Sequence, residues 1–256
     1  MSQSPLSCEF ITPDWPAPAN VKALVTTRVG GPCTAPYDAF NVGDYVGDHL
    51  ADVAECRRQL SYHAGRARFH WLAQVHSTTV VGSELDDGVE ADASISRQVG
   101  EACVVMTADC LPVVMCDRDG TCISAVHAGW KGLLNGVIEA SVREMNVSPG
   151  ELMAWFGPAI GQCCFEVGAE VRNAFIAKLP QAANAFIPSP HHSGERYMAD
   201  MYLLARQRLE AIGVSDIHGG GDCTCCDVGR FYSYRRDGEK TGRMATAIWF
   251  DAASAQ

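Results

Sequence analysis

Six apolar, strand-like runs set the folds open to this sequence: residues 22–28, 68–77, 101–110, 121–130, 151–158 and 243–250. Helical period is rarer, recurring over Asp52–His63, over Lys131–Asn146 with Leu134, Val137, Ile138, Val142 and Met145 on one face, over Ala199–Ile212, and in a shorter segment, Ala169–Lys178. Strands that outnumber helices without alternating with them predict an α/β (α+β) chain of mixed β-sheets with helices on the outside. A Rossmann order is not expected, because the "HGGG" of 218–221 is not G-x-G-x-x-G and no GK[ST] follows; it reads as a turn. The stretch "PQAANAFIPSPHHSGERY" is rich in Pro and Ser and has no period, so it reads as a loop and a candidate flap. No linker interrupts the 256 residues, and 47% hydrophobic with 20% charged residues suits one core, so a single domain over 1–256 is expected.

A net charge of −10 without a basic cluster argues against nucleic acid and anionic membranes as partners, since both need a positive patch. A small-molecule ligand is expected instead. The first 21 residues show no basic stretch followed by an apolar one, and no charge-free run approaches the ~20 residues of a membrane span, which predicts a cytoplasmic protein. Twelve cysteines in a chain long enough to build a core read mostly as buried free thiols rather than a disulfide scaffold. The same reading covers the Cys163–Cys164 pair and the "CTCC" of Cys223, Cys225 and Cys226, because neighbouring cysteines project in opposed directions and chelate one ion poorly.

One run breaks the pattern of a plain core strand. In "TADCLPVV", an acid and a thiol, Asp109 and Cys110, interrupt an apolar segment, and burying such an acid costs several kcal/mol unless it is paired. His76 in "AQVHST" and His127 in "AVHAGW" share its context, each at the end of an apolar run before a turn. Two imidazoles and one thiolate make a metal set of catalytic type, with one coordination position open. A second chemistry uses the same atoms: a Cys110–His127 pair in which His127 lowers the thiol's pKa and Cys110 acts as nucleophile.

Eight blocks in order resemble the laccase-domain family: "LVTTRVGG" (24–31), "FNVGDYVGDH" (40–49), "QVHS" (74–77), "ADAS" (91–94), "TADCLPVV", "VHAGWKG", "GPAIGQCCFEVG" (157–168) and "RFYSYRRDGEKTGRMATAIW" (230–249). Members of that family are variously labelled polyphenol oxidase, peptidoglycan-editing factor and purine nucleoside phosphorylase. The resemblance implies four layers, α/β/β/α, similar to the fold of deamidating toxins, and a zinc site on His76, Cys110 and His127, with copper as the alternative ion. Asp109 is then expected to face away from Cys110 or to support a ligand. It also implies phosphorolysis of adenosine, inosine, guanosine or methylthioadenosine and hydrolytic deamination of adenosine, with nucleoside and phosphate as partners. Catalytic roles fall on Cys110, His127 and Arg28. For phosphate, the fork of Arg28 is the expected grip, helped by Asn41 and by Lys131, where the family block usually reads "HAGWRG". Arg235, Arg236 and Arg243 are read as surface ion-pair residues outside the site.

Three other functions compete. Multicopper oxidation relies largely on His-x-His pairs, and the 8 histidines form none, so copper-dependent phenol oxidation is left to an ion at His76, Cys110 and His127. An amidase editing peptidoglycan precursors would use the same zinc or the Cys110 thiolate. A non-enzymatic metal-binding module would need no open coordination position.

Overall fold

The computed structural model describes residues 8–82, 87–192 and 194–251. Residues 1–7, where part of the leader reading falls, and residue 193 of the candidate flap lie outside them.

Two sheets stacked face to face form the centre. The first has five strands, β1 (Phe10–Ile11), β2 (Val21–Thr26), β3 (Arg68–His70), β6 (Glu101–Thr107) and β14 (Met244–Phe250), in the order β1-β2-β14-β6-β3. The second has six, β4 (Val80–Gly82), β5 (Ala93–Ser96), β7 (Leu111–Asp117), β8 (Ile123–Ala128), β9 (Leu152–Phe156) and β13 (Asp216–Gly219), in the order β13-β9-β7-β8-β5-β4. Parallel and antiparallel pairings mix in both.

Strand periodicity explains the layering. Along β6, Cys103 and Val105 turn toward the second sheet and pack with Val114, Cys116, Ile123 and Ala125, while Ala102, Val104 and Met106 turn outward. That outward face meets Cys56 and Leu60 of α1 (Leu50–His63). The far face of the second sheet is covered by α2 (Trp130–Asn135), α3 (Val137–Met145), α4 (Ala169–Lys178) and α5 (Met201–Ala211). Helices therefore cover both outer faces, and the central strands read as near-continuous apolar runs because neither face meets water. The short α6 (Tyr234–Asp237) lies in the C-terminal block.

Four boundaries differ from the sequence reading. The run 101–110 stops as a strand at Thr107, because Asp109 takes a φ of 92°, outside the strand region. Residues 108–110 are then the step by which the chain leaves the first sheet and enters the second at Leu111. The run 68–77 is a strand only through His70. The helix expected over 131–146 is two, broken at Gly136, whose φ of 100° ends one and begins the other. The expected flap contains strands: β12 (Arg196–Ala199) pairs with both β11 (Phe186–Pro188) and β10 (Glu166–Gly168) in a third sheet. Its sequence lacks a period because these strands are only three or four residues long.

No helix among the described residues is long and apolar enough to cross a membrane. Ile123 is fully buried between the two large sheets, whereas Lys22 on β2 is exposed. Replacing Ile123 by Ala is expected to cost 2–5 kcal/mol in chemical denaturation, and Lys22→Ala less than about 0.5 kcal/mol.

Candidate active site and metal centre

The site is assembled where the two sheets exchange the chain. Cys110 is the last residue of the step between β6 and β7. β7 and β8 pair so that Leu111 lies opposite Ala128 and Pro112 opposite His127, which sets His127 beside the Cys110 end. His76 comes from the irregular segment after β3, and its backbone is left-handed, with φ 60°. The rings of His76 and His127 lie 4.8 Å apart between centroids, and Cys110 Sγ is 3.7 Å from His76 Nε2. One ligand atom from each of the three residues falls within 4.8 Å of the others, so the structure brings together all three side chains expected as metal ligands.

What holds them is a residue the sequence reading passed over. Asp92, inside the "ADAS" block, is fully buried. Because β5 pairs Ala93 with Val126, Asp92 stands across from His127 and accepts from its Nδ1 at 2.7 Å, while its own carbonyl takes the His127 N–H. The same carboxylate accepts the backbone N–H groups of Val75 (3.3 Å), His76 (3.0 Å) and Ser77 (2.5 Å) and the Ser77 hydroxyl (2.8 Å). Three successive amides on one carboxylate wrap the chain into the left-handed turn at His76, a conformation a non-glycine residue adopts at a cost. Burial works to raise the carboxyl's pKa, but the bonds from His127 and Ser77 hold it at about 2. With Nδ1 occupied, His127 presents Nε2 to the site.

Gly129 completes the packing. A Cβ there would stand 2.6 Å from His76 Cδ2 and 3.1 Å from Cys110 Sγ, so any larger residue in "HAGW" displaces His76 or Cys110.

Charge follows from this geometry. Burial opposes a thiolate at Cys110, yet the charge and hydrogen bond of His127, aided by His76, bring its pKa down to about 6. Burial likewise opposes a charged His127, and the Cys110 thiolate together with Asp92 lifts it to about 9. Without an ion, the two groups form a thiolate–imidazolium pair between those values.

The three side chains open into a cleft of about 530 Å³. Tyr45, Trp130, Phe165 and Tyr234 supply aromatic walls, and Arg235 and Arg243 also line it. Arg235 lies over Phe165 and donates to the carbonyls of Cys164 and Glu166; Arg243 lies over Tyr45 and donates to those of Thr241 and Gly242. Neither guanidinium has a carboxylate partner among the described residues. Reading both as surface ion-pair residues is therefore corrected; Arg236 does pair with Asp237, but its side chain is largely buried and also donates to the carbonyls of Thr224, Cys225 and Phe231.

The expected phosphate grip is also revised. Arg28 does not line the cleft; its guanidinium is taken by the Asp38 carboxylate at 3.3 Å and by the carbonyls of Asp38 and Val228. Asn41 is fully buried and bonds Gly43, Asp48 and the backbone N–H of Arg243, so it orients an arginine rather than a ligand. Lys131 is exposed beside Trp130, outside the lining. Asp109 is bonded away from the three donors: its carboxylate accepts from the Thr224 hydroxyl and the Arg235 backbone N–H, both at 2.6 Å, tying the Cys110 corner to the C-terminal blocks. The expectation of buried thiols fails at Cys163 and Cys226, which are exposed.

The profile of the family described as multi-copper polyphenol oxidoreductase laccase matches residues 22–251. A purine nucleoside phosphorylase of Pseudomonas aeruginosa is 52% identical over 240 residues, spanning 94% of this chain and 98% of its own length. One from Escherichia coli strain K12 is 47% identical over 245 residues, with 94% and 98% spanned. The crystal structure of a Neisseria meningitidis protein superposes with a TM-score of 0.91 at 46% identity, covering 95% of this chain and 99% of that one.

Two outcomes are expected. In protein treated with a chelator, alkylation of Cys110, followed by peptide mapping, should switch on as pH rises through about 6, where the thiol becomes thiolate, rather than near 9. Asp92→Asn should weaken zinc binding at His76, Cys110 and His127 about 10–100-fold in competition with a chelator, because the ring and the 75–77 turn lose their common anchor.

Proposed function

Because the chain belongs to the multi-copper polyphenol oxidoreductase laccase family, with relatives named purine nucleoside phosphorylase at up to 52% identity, we propose that it cleaves purine nucleosides with phosphate in the cleft beside His76, Cys110 and His127. The observation that carries this reading is the meeting, in one cleft, of aromatic walls, two arginines without carboxylate partners and a three-donor metal set. Aromatic side chains suit the flat faces of a purine, and guanidinium forks suit phosphate oxygens.

The donor set fits one ion, and two imidazoles with a thiolate suit zinc, with copper as the alternative. A multi-copper cluster does not fit, since this is the one metal-ligating group among the described residues that contains histidine. Bound there, a divalent ion supplies a Lewis acid that draws electron density from a substrate oxygen or nitrogen.

The chain's own residues do the rest. Arg235 and Arg243 hold phosphate and direct one of its oxygens at the ribose C1′. As that C–O bond forms, the C1′–N9 bond breaks, its electron pair leaves with the base, and the base takes up the proton that the hydrogen phosphate gives up, giving free purine and ribose 1-phosphate. Trp130, Phe165, Tyr45 and Tyr234 hold the base and exclude water that would hydrolyse rather than phosphorolyse it. Hydrolytic deamination of adenosine is the second reading, favoured by the fourth position that three donors leave open. Twelve free cysteines support a reducing compartment, the cytoplasm.

Incubation with inosine and with adenosine, with and without phosphate, followed by product identification, tests both readings. Free base and ribose 1-phosphate formed only with phosphate are expected. Inosine made from adenosine at the same rate without phosphate, and no cleavage with it, would replace the first reading by the second. Arg243→Ala should lower phosphorolysis about 10–100-fold through loss of a charge-assisted bond worth ~1.5–3 kcal/mol, and should lower deamination far less.

A further inference from the structure

We propose that Cys163, Cys164, Cys223 and Cys226 form a second metal site, a tetrathiolate that takes zinc and fastens the wall of the cleft. It is independent of the reading of the cleft as a nucleoside site.

Four sulfurs from two distant segments meet here, all within 4.8 Å of one another. Cys163 Sγ lies 3.6 Å from Cys223 Sγ and 3.4 Å from Cys226 Sγ, and Cys164 Sγ is 3.4 Å from Cys226 Sγ. A tetrahedron of sulfurs at a Zn–S distance of ~2.3 Å has edges of about 3.8 Å, so the three closest separations fall slightly short of that edge and the whole set, within 4.8 Å, is the size one zinc requires. They are far longer than the ~2.05 Å of a disulfide, and all four cysteines are free.

The objection from sequence, that neighbouring cysteines point apart, holds along a strand. Residues 162–164 are a turn, closed by the N–H groups of Cys164 and Phe165 on the Gly161 carbonyl, and both sulfurs reach the same side. Cys223 and Cys226 stand in a Cys-x-x-Cys turn, closed by the Asp227 N–H on the Cys223 carbonyl. That spacing is a metal-ligand spacing, hidden in "CTCC" by the extra Cys225.

The surroundings suit a tetrathiolate. Gly161 donates its N–H to Cys223 Sγ at 3.2 Å, and a Cβ on Gly161 would sit 3.2 Å from that sulfur and 3.3 Å from Cys163 Sγ, so the glycine permits the approach. One zinc with four thiolates carries two negative charges. Two cations are held at the backbone of the cluster: Arg236 donates to the carbonyls of Thr224 and Cys225, and Arg235 to that of Cys164. Exposed Cys163 and Cys226 give an ion its entry path. Four thiolates select a soft or borderline ion over magnesium or calcium, and with no position open the ion's role is structural.

The consequence for the cleft follows from Thr224, which lies between two of these ligands and donates to the Asp109 carboxylate next to Cys110. Ile160, Phe165 and Arg235, all in the cleft lining, flank or contact the same two turns. An ion here joins the two turns and keeps that wall in place.

The test uses full-length protein purified under reducing conditions. His76→Ala/His127→Ala removes the first site, and this variant is expected to retain about one zinc per chain by elemental analysis. Cobalt exchanged for it should give the charge-transfer absorption of a tetrahedral thiolate complex. Adding Cys163→Ser and Cys226→Ser, at exposed positions, should abolish both, with circular dichroism reporting that the protein still folds. Should those two serines unfold it, zinc protection of Cys163 and Cys226 from alkylation in the His76→Ala/His127→Ala protein is the second measurement. Retention unchanged by the serines, no retained ion and no protection, or a Cys163–Cys226 or Cys164–Cys226 disulfide found by peptide mapping in the reduced preparation would each overturn the proposal.

Discussion

The buried carboxylate of Asp92 is the interaction on which the site depends. A charge without solvent is tolerated only when bonded on every side, and Asp92 accepts from three successive amides, a hydroxyl and an imidazole. Those same bonds dictate where two of the three candidate donors go. One sets the orientation of His127; the others bend the 75–77 segment so that His76 faces it. Its neutralisation would leave the turn at His76 without the anchor that offsets its backbone conformation.

The two sheets supply the other half. A strand belonging to one sheet cannot carry a side chain to a mouth shared with the next unless the chain crosses between them, and the crossing is Ala108–Asp109–Cys110. It is short because Asp109 takes a positive φ and is held by Thr224 and by the Arg235 amide, groups more than a hundred residues away. The apolar contacts between the sheets, Cys103 and Val105 against Val114, Ile123 and Ala125, keep that corner from sliding. Catalytic geometry and core packing are therefore one problem here, and a change in inter-sheet spacing would be felt at Cys110.

Charge is handled the same way at the cleft. An acidic chain keeps two guanidinium groups of the cleft off its carboxylates by giving them aromatic faces and carbonyls instead. Arg28, with an attractive sequence context, is neutralised by Asp38. Position relative to a carboxylate, rather than residue type, separates the arginines that face the cleft unpaired from Arg28.

Sequence periodicity carried the mixed-sheet class with helices outside, the strands near 22–28, 121–130, 151–158 and 243–250, and helix 169–178 to the residue, whereas the four layers and the choice of His76, Cys110 and His127 as a metal set rested on the resemblance of its motif blocks to a family. Periodicity and ordered motif blocks are local properties, and the chain carries them whether folded or not. Tertiary structure decided the rest. Asp92 became visible as the anchor only when the β5–β8 register set it across from His127; Arg235 and Arg243 separated from Arg28 only when their partners were in place. The four cysteines at 163, 164, 223 and 226 met only because two turns some sixty residues apart pack together. Register, pairing and turn direction are relations between distant residues, and no window of sequence contains both members of such a pair.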